Sequence, residues 1–246
     1  MAYKGSQFYD DEQLLNKYLE RRRWNENAND TIEKPVFMDL IGDVTEKNVL
    51  DLGCGTAAFG KELLGLGARS YTGIEGSEKM VKLAQETLPK ANGKVIHTAI
   101  EAWEFPASAY DLVVSRLVIH YVYDIDALFD QVYNTLGQEG AFIFSVEHPV
   151  ITSSYGTAKT EGLKQSWIVD QYFHTGPREQ DWLGGKVIKY HRTIEDYFGG
   201  LQKAGFVIES LKESKPREEN FHNPETYHRR MKIPLFLLIK ARKVLG

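Results

Sequence analysis

Cysteine is nearly absent from this sequence of 246 residues, which contains one, Cys54. A single thiol excludes an internal disulfide framework of the kind that holds small secreted domains together. The net charge is also small, since 30 basic and 34 acidic residues give a formal value of −4. This charge provides no global attraction to nucleic acid, and Arg21–Arg23 is only a short basic run. We therefore expect no nucleic acid partner.

Long apolar runs and low-complexity segments are missing as well. The apolar stretch Ile233–Ile239 is far shorter than the roughly 20 residues needed to cross a membrane. The polar N-terminal stretch lacks the charged segment and apolar core of a secretory signal. We expect a cytoplasmic protein with no membrane partner. Strand patterns alternate with helical patterns up to Gly205, so we predict one continuous sheet and one domain over residues 1–246.

The most informative segment is Asn48–Gly60, in which an apolar strand pattern leads through an acid into glycines. Asp51 places a carboxylate near the end of the predicted strand. Gly53 and Gly55 allow a tight turn in which the backbone approaches a ligand closely. The order predicts a strand, a glycine turn at a nucleotide-like ligand, and a helix.

Two kinds of nucleotide site fit this segment. Gly53, Gly55 and Ala58 match the G-x-G-x-x-G/A pattern of dinucleotide sites. Glu75 follows about 20 residues later, where a ribose-binding acid is expected. A nicotinamide or flavin site and a turn without a ligand both stay open on this pattern alone. The whole string D-x-G-C-G-T, with Asp51 two residues before the first glycine, resembles motif I of the class I S-adenosylmethionine-dependent methyltransferases.

The following stretches are similar to the same family. A second strand ends at Glu75, and Ser77 begins a helix. The resemblance implies that Glu75 binds both ribose hydroxyls and that Met80 packs against adenine, although Met80 also fits a core position. The third strand ends near Ala99, where many members carry an acid. The resemblance therefore implies that the adenine-binding role passes to Glu101 or to backbone groups.

A fourth strand with the sequence YDLVVS ends at Ser115 and Arg116, which by resemblance face the cofactor. The resemblance implies that S-adenosylmethionine is the cofactor. The residues predicted to bind it are Asp51, Gly53, Cys54, Gly55, Glu75, Gly76, Ser77, Met80, Ala99, Ile100, Glu101, Ser115 and Arg116.

Strand and helix patterns alternate along the chain, and FVIESLKES and IPLFLLIKARK add two strands at its end. The resemblance implies an α/β fold with a Rossmann-like, doubly wound sheet of seven strands, the last of them antiparallel. Through IHYV, SVEHP and KYHRT the chain resembles uncharacterised bacterial members of the ubiquinone-biosynthesis-like methyltransferases. That group acts mostly on small molecules, so the resemblance implies a small-molecule acceptor.

Two segments lie outside this common pattern and are expected to determine the acceptor. Residues 1–34 contain an amphipathic helix pattern, which predicts a lid, although a solvated charged face fits too. Residues 149–192 follow the fifth strand, and SWIVDQYF and KVIKYHRT have strand composition. With the turn-rich HTGPREQDWLGG between them, they predict a β-hairpin arm over the acceptor pocket. The aromatic residues assigned to substrate binding are Trp24, Tyr121, Tyr155, Trp167, Tyr172 and Trp182.

Methyl transfer requires a nucleophile aligned with a sulfonium methyl group, and positioning supplies most of this. A hydroxyl or protonated amine acceptor also needs a base, for which histidine has a suitable pKa. The candidates are His148, His191 and His120, each of which also fits a structural role. Clustered carboxylates suitable for magnesium are lacking, so we predict no metal. A nucleotide oxidoreductase and a noncatalytic S-adenosylmethionine-binding protein remain alternatives, and the oligomeric state is left open.

Overall fold

The computed structural model describes residues 3–153 and 167–244. The strands β1 to β10 span Tyr3–Lys4, Asn48–Leu52, Ser70–Glu75, Gly93–His97, Tyr110–Arg116, Leu136–Glu147, Gly176–Trp182, Gly185–His191, Val207–Lys212 and Phe236–Arg242. The helices α1 to α8 span Glu12–Arg23, Lys34–Ile41, Ala58–Gly65, Glu78–Thr87, Ile125–Thr135, Pro149–Thr152, Ile194–Lys203 and Pro224–Arg230.

A seven-stranded sheet of order β4-β3-β2-β5-β6-β10-β9 lies at the centre of the fold. The strands β2 to β6 pair in parallel, whereas β10 runs antiparallel to both β6 and β9. The predicted α/β fold with an antiparallel last strand is confirmed. The strand order reverses between β2 and β5, and open α/β sheets bind ligands beyond the carboxyl ends of the strands at such a point.

Helices cover both faces of this sheet. On one face Phe129 of α5 and Tyr197 of α7 belong to a core that includes Phe142 and Phe144 of β6. On the other face Phe37 of α2 packs in a core with residues of α3 and α4. The central strands are consequently apolar along nearly their whole length, as expected for parallel strands buried on both sides. The polar residues at their carboxyl ends are therefore exceptions that need an explanation.

A small second sheet of order β1-β8-β7 forms a cap. The predicted hairpin after the fifth strand of the sheet is present, but its first strand was assigned wrongly. Residues 167–175 contain no strand, and the segment predicted as a turn forms β7 instead. The reason is a two-residue turn, in which Leu183 and Gly184 both have positive φ, 51° and 88°. Such a turn closes a tight hairpin, so the residues before it continue as a strand.

The N-terminal segment is part of the same cap. Tyr3 of β1 pairs in parallel with Val187 of β8. Phe8 and Leu14 pack against Val187 in a separate small core. Asp10 accepts a hydrogen bond from the hydroxyl of Ser77 over 2.8 Å, which ties this segment to the start of α4. The predicted N-terminal lid and the predicted arm thus form one structure above the central sheet.

No helix in the described ranges has the length and apolar character required to cross a membrane.

Candidate functional site

A cavity of about 810 Å³ lies at the carboxyl ends of the central strands, beneath the cap. Its walls come from the glycine turn after β2, from the ends of β3, β5 and β6, and from α1, β7, β8 and α8. The predicted cofactor residues that line it are Gly53, Gly55, Glu75, Gly76, Met80, Ala99, Ile100, Glu101 and Arg116. The structure therefore brings together most of the positions predicted to bind S-adenosylmethionine.

The glycine turn requires glycine for two different reasons. Gly53 and Gly55 have φ of 76° and 55°, a region that side chains disfavour. A Cβ atom on Gly53 would also lie 2.4 Å from the Cγ2 atom of Val118, whereas one on Gly55 would meet no atom within 4 Å. Gly53 thus makes room for the side chain of Val118, and Gly55 leaves open space beside the cavity.

Glu75 is the carboxylate at the centre of the predicted cofactor side. It is buried, with 6% exposure. Its Oε2 atom accepts the N–H of Gly55 over 2.9 Å, and its Oε1 atom accepts that of Ser77 over 2.8 Å. A carboxylate has about four acceptor positions, so these bonds leave capacity for two hydroxyl donors. Burial raises the pKa of Glu75, while the backbone hydrogen bonds oppose this shift. The geometry fits a ribose-binding carboxylate.

The N-terminal segment lies directly on the loop that follows Glu75 at the end of β3. Gly5 and Ser6 line the cavity together with Gly76. A Cβ atom on Gly76 would lie 2.4 Å from the hydroxyl oxygen of Ser6. The predicted lid therefore contacts the residues predicted to bind the cofactor, and a side chain at Gly76 would push it away.

The other four predicted cofactor residues support the site from behind and do not line the cavity. Ser115 donates its hydroxyl hydrogen bond to the carbonyl of Leu52 over 2.9 Å, linking the ends of β5 and β2. Ser77 caps α4, accepting the N–H of Met80 over 3.2 Å. The Cys54 side chain lies against Gly73, where a Cβ atom would be 2.5 Å from the sulfur.

Asp51 is the fourth of these and has an unfavourable environment. Its carboxylate is 3% exposed and accepts the hydroxyl of Tyr71 over 2.7 Å. Burial raises the pKa of Asp51 to about 6, against the opposing effects of Tyr71 and Arg116. A buried acid with a strongly raised pKa next to a cavity is a common feature of functional sites.

Arg116 is held in place by a buried partner that the sequence did not indicate. Its guanidinium forms an ion pair with Glu33, which is fully buried. Glu33 also accepts the hydroxyl of Ser145 over 2.7 Å. The Cζ atom of Arg116 lies 4.5 Å from the ring centroid of Phe59. The charge of this guanidinium is largely neutralised by Glu33. Arg116 therefore contributes mainly shape and hydrogen-bond donors to the cavity wall.

The end of β6 contributes a second ion pair, on the side of the cavity under the hairpin. Lys189 of β8 donates to Glu147 Oε1 over 2.5 Å. Its Nζ atom also lies over the rings of Tyr121 and Trp182, at 5.7 and 5.2 Å from their centroids. The Oε2 atom of Glu147 is buried and has no hydrogen-bond partner among the described residues. Lys189 lowers the pKa of Glu147 despite its burial.

Of the three candidate histidines, His120 lines the cavity. Its Nδ1 atom accepts the N–H of Glu147 over 3.4 Å. Burial lowers the pKa of His120 to about 3, so the ring is neutral at physiological pH. A group with this pKa is a poor general base near neutrality.

His148 and His191 do not line the cavity, and both ring nitrogens of each are engaged. His148 accepts the N–H of Val150 over 3.2 Å and its Nε2 lies 3.0 Å from a carboxylate oxygen of Glu213. His191 lies 2.7 Å from the hydroxyl of Thr152 and 2.9 Å from the carbonyl oxygen of Tyr172. The contacts of His191 lie within the insertion, and those of His148 connect the end of β6 with Val150 and Glu213, so a catalytic role for either stays a prediction.

The six aromatic residues assigned to acceptor binding, like the candidate histidines, lie partly inside and partly outside the cavity wall. Tyr121 and Trp182 line the cavity. Trp24 is 52% exposed and lies outside it, and Trp167 and Tyr172 are not part of its wall either. Tyr155 lies outside the described residues.

Two arginines of the cavity wall, Arg21 and Arg230, were missed as site residues. Arg21 lies on α1, and its Cζ atom is 4.7 Å from the ring centroid of Trp182. Arg230 ends α8, a helix that the sequence analysis did not predict. Asn223 followed by Pro224 is a typical helix start and was the available signal, since Asn223 caps the first turn.

Within the described ranges, no group of three or more His, Cys, Asp or Glu side chains is arranged to hold a metal ion.

Comparison with known proteins supports the family that the sequence resembles. Residues 50–144 match the model of the family described as a methyltransferase domain. A solved structure from Mesorhizobium loti, described as an S-adenosylmethionine-dependent methyltransferase, is 32% identical with a TM-score of 0.78. That match covers 85% of this chain and 97% of the other. A structure from Listeria monocytogenes assigned to the same class is 36% identical, with a TM-score of 0.79 over 87% and 97% of the two chains.

An uncharacterised Haemophilus influenzae protein is 32% identical over 96% of both chains. These findings confirm the resemblance that begins at Asp51, and with it S-adenosylmethionine as the cofactor and methyl transfer as the reaction. The narrower resemblance to the ubiquinone-biosynthesis-like group stays a prediction, as do the roles of individual residues.

Proposed function

We propose that this chain, which belongs to the S-adenosylmethionine-dependent methyltransferases, methylates an oxygen, nitrogen or carbon atom of a small molecule. The observation that carries the proposal is one cavity that includes both Glu75, on the predicted cofactor side, and Glu147, Trp182 and Tyr190, under the hairpin. Its volume is about 810 Å³, within the range of roughly 300 to 1,000 Å³ typical of small-ligand sites. A cofactor and a small acceptor can therefore lie in one cavity.

The cap favours a small acceptor over a polymer. Trp182 of β7, Tyr190 of β8 and Tyr9 of the N-terminal segment form parts of the same wall. Because β1 pairs with β8, the lid and the hairpin are joined in one sheet above the cavity. An RNA or protein acceptor would need an open groove beside the methyl group. The net charge of −4 also gives no electrostatic advantage to a nucleic acid.

The titratable residues around the cavity support catalysis by positioning. S-Adenosylmethionine, when bound, supplies a methyl group on a sulfonium sulfur, which a nucleophile displaces in line. His120 has a pKa of about 3, and burial raises the pKa of Tyr121. The pKa of Glu147 is lowered. None of these three groups takes up a proton efficiently near pH 7. Their work is to bind and orient an acceptor whose nucleophile is already deprotonated, and to exclude water.

The experiment uses S-adenosylmethionine labelled in its methyl group, the purified protein and a cell extract separated by size. We expect label in the small-molecule fraction, with none in the protein or RNA fraction. The matched control is Glu75→Ala, which removes a carboxylate predicted to bind the cofactor and should reduce the labelling at least tenfold when S-adenosylmethionine is below its dissociation constant. Label found only in the macromolecular fraction would overturn the small-molecule acceptor.

A further inference from the structure

Two positively charged side chains stand out on the part of the cavity wall that the cap covers. Arg21 reaches the wall from α1 and Arg230 from the last turn of α8. Arg21 stacks on Trp182, with its Cζ atom 4.7 Å from the ring centroid. The two arginines are 209 positions apart in the sequence, so the fold brings them to one cavity.

Neither guanidinium has a carboxylate partner within 4.0 Å among the residues that the structure describes. The other two cations at this site differ, because Arg116 pairs with Glu33 and Lys189 pairs with Glu147. The Nε atom of Arg230 is buried and has no hydrogen-bond partner in the described ranges. A buried, charged donor without a partner is costly, and an anionic ligand would remove that cost.

The electrostatic environment agrees with this geometry. Burial, followed by the positive charges of Arg229 and Arg21, lowers the pKa of Arg230 to about 10. The guanidinium therefore remains charged at neutral pH but is repelled by its neighbours. An anion between Arg21 and Arg230 would relieve this repulsion.

We propose that Arg21 and Arg230 form an anion subsite for the methyl acceptor, which therefore carries a carboxylate or phosphate group. This inference rests on the proposed function, because it assigns the subsite to the acceptor of that reaction. Arginine suits the role, since its planar fork binds either anion with two parallel hydrogen bonds.

The carboxylate of the cofactor is the other possible source of such an anion. The charge of Glu147 acts on Arg21 and opposes the lowering of its pKa by burial. Glu147 ends β6 and Glu75 ends β3, three strands away in the sheet order. At about 4.8 Å per strand, the two carboxyl ends are roughly 14 Å apart. Arg21 thus lies on the β6 side, away from the predicted ribose contact, which favours the acceptor.

The experiment measures binding of inorganic phosphate and of malonate by calorimetry, with the protein saturated with S-adenosylhomocysteine and ionic strength held constant. We expect saturable binding by the wild type. Arg230→Gln should weaken it roughly tenfold or more, because hydrogen bonds to charged groups are lost. Arg23→Gln is the matched control, since Arg23 lies on α1 two residues after Arg21 but does not line the cavity. Arg21→Gln, at a more exposed position, is the second variant in case Arg230→Gln fails to fold.

A second titration, of S-adenosylhomocysteine alone, separates the two sources of the anion. Unchanged affinity in Arg21→Gln and Arg230→Gln assigns the arginines to the acceptor. A tenfold loss there, with no anion binding once the cofactor site is filled, would overturn the proposal. Equal anion binding by the wild type and both variants would overturn it too, as would no binding by the wild type. Since no step requires methyl transfer, failure of the proposed function would show separately in the labelling experiment.

Discussion

Replacing Asp51 by asparagine should stabilise the folded protein at about pH 8 but not at about pH 4. In the folded state burial raises the pKa of Asp51 from 3.8 to about 6. Between these values the folded protein retains a proton that the unfolded chain has lost, so stability falls as the pH rises through that window. The whole difference, at about 1.4 kcal/mol for each pKa unit, is about 3 kcal/mol.

Asparagine removes the charge and keeps an oxygen for the hydroxyl of Tyr71, which lies 2.7 Å from the Asp51 carboxylate. The stronger hydrogen bond of Tyr71 to the ionised carboxylate is already part of this pKa shift, so the expected gain at about pH 8 is the whole difference of about 3 kcal/mol. For a chain of this size such a gain raises Tm by roughly 6 to 12 °C. At about pH 4 the folded aspartic acid is already neutral, and the expected gain is near zero or negative.

The assay is urea unfolding of the wild type and Asp51→Asn at both pH values, without cofactor. Tyr71→Phe is a companion variant that should destabilise the protein, because it removes the hydrogen bond to the carboxylate. An equal change in unfolding free energy for Asp51→Asn at both pH values would refute the reasoning, as would destabilisation at the higher pH. If the gain is found, the wild type retains a destabilising carboxylate, as is common at functional sites.

Further substitutions test the remaining assignments. Glu75→Ala should lower the affinity for S-adenosylhomocysteine at least tenfold, since hydrogen bonds to a charged group contribute roughly 1.5 to 3 kcal/mol each. Glu78→Ala, on the exposed side of α4, is its control. Equal dissociation constants for Glu75→Ala and the wild type would show that Glu75 does not bind ribose. Gly53→Val should abolish that binding and also destabilise the fold, because its side chain would displace Val118; wild-type affinity in a folded variant would contradict this. His148→Ala should leave the pH dependence of turnover unchanged, because the ring lies outside the cavity; loss of a limb between about pH 6 and 7 would restore it as a catalytic base.

The central sheet could be predicted because its signals are local. The order of apolar, acidic and glycine residues after Asn48 predicted a strand, a turn and a helix, and β2 and α3 occupy those places. Parallel strands buried on both faces give continuous apolar segments, and capping residues such as Ser77 mark the helix starts. The acidic residue at the end of β3, Glu75, was found for the same reason, since a carboxylate there has no packing role.

The acceptor side was predicted less well because its contacts join distant segments. The two-residue strand β1 has no pattern of its own and exists only through its pairing with β8. The ion pair of Glu33 with Arg116 joins residues 83 positions apart, which no periodicity reveals. His148 and His191 were chosen as catalytic candidates because they follow or end strands, as catalytic groups often do, and that role stays a prediction. Their ring nitrogens are nevertheless fully used by neighbouring protein atoms.

The unpaired charges at this site bear on the charge of the acceptor that it can bind. Arg116 and Lys189 already have carboxylate partners, and His120 is neutral. Among the described cavity residues His120, Tyr121 and Glu147, none has a pKa suited to taking a proton from the acceptor, so we expect methylation of a protonated acceptor to be slow. An acceptor with an anionic group would instead find Arg21 and Arg230 unpaired beneath the cap. The proposed anion subsite thus predicts selection by charge at one end of the cavity, with alignment and exclusion of water promoting the reaction where the methyl group is transferred.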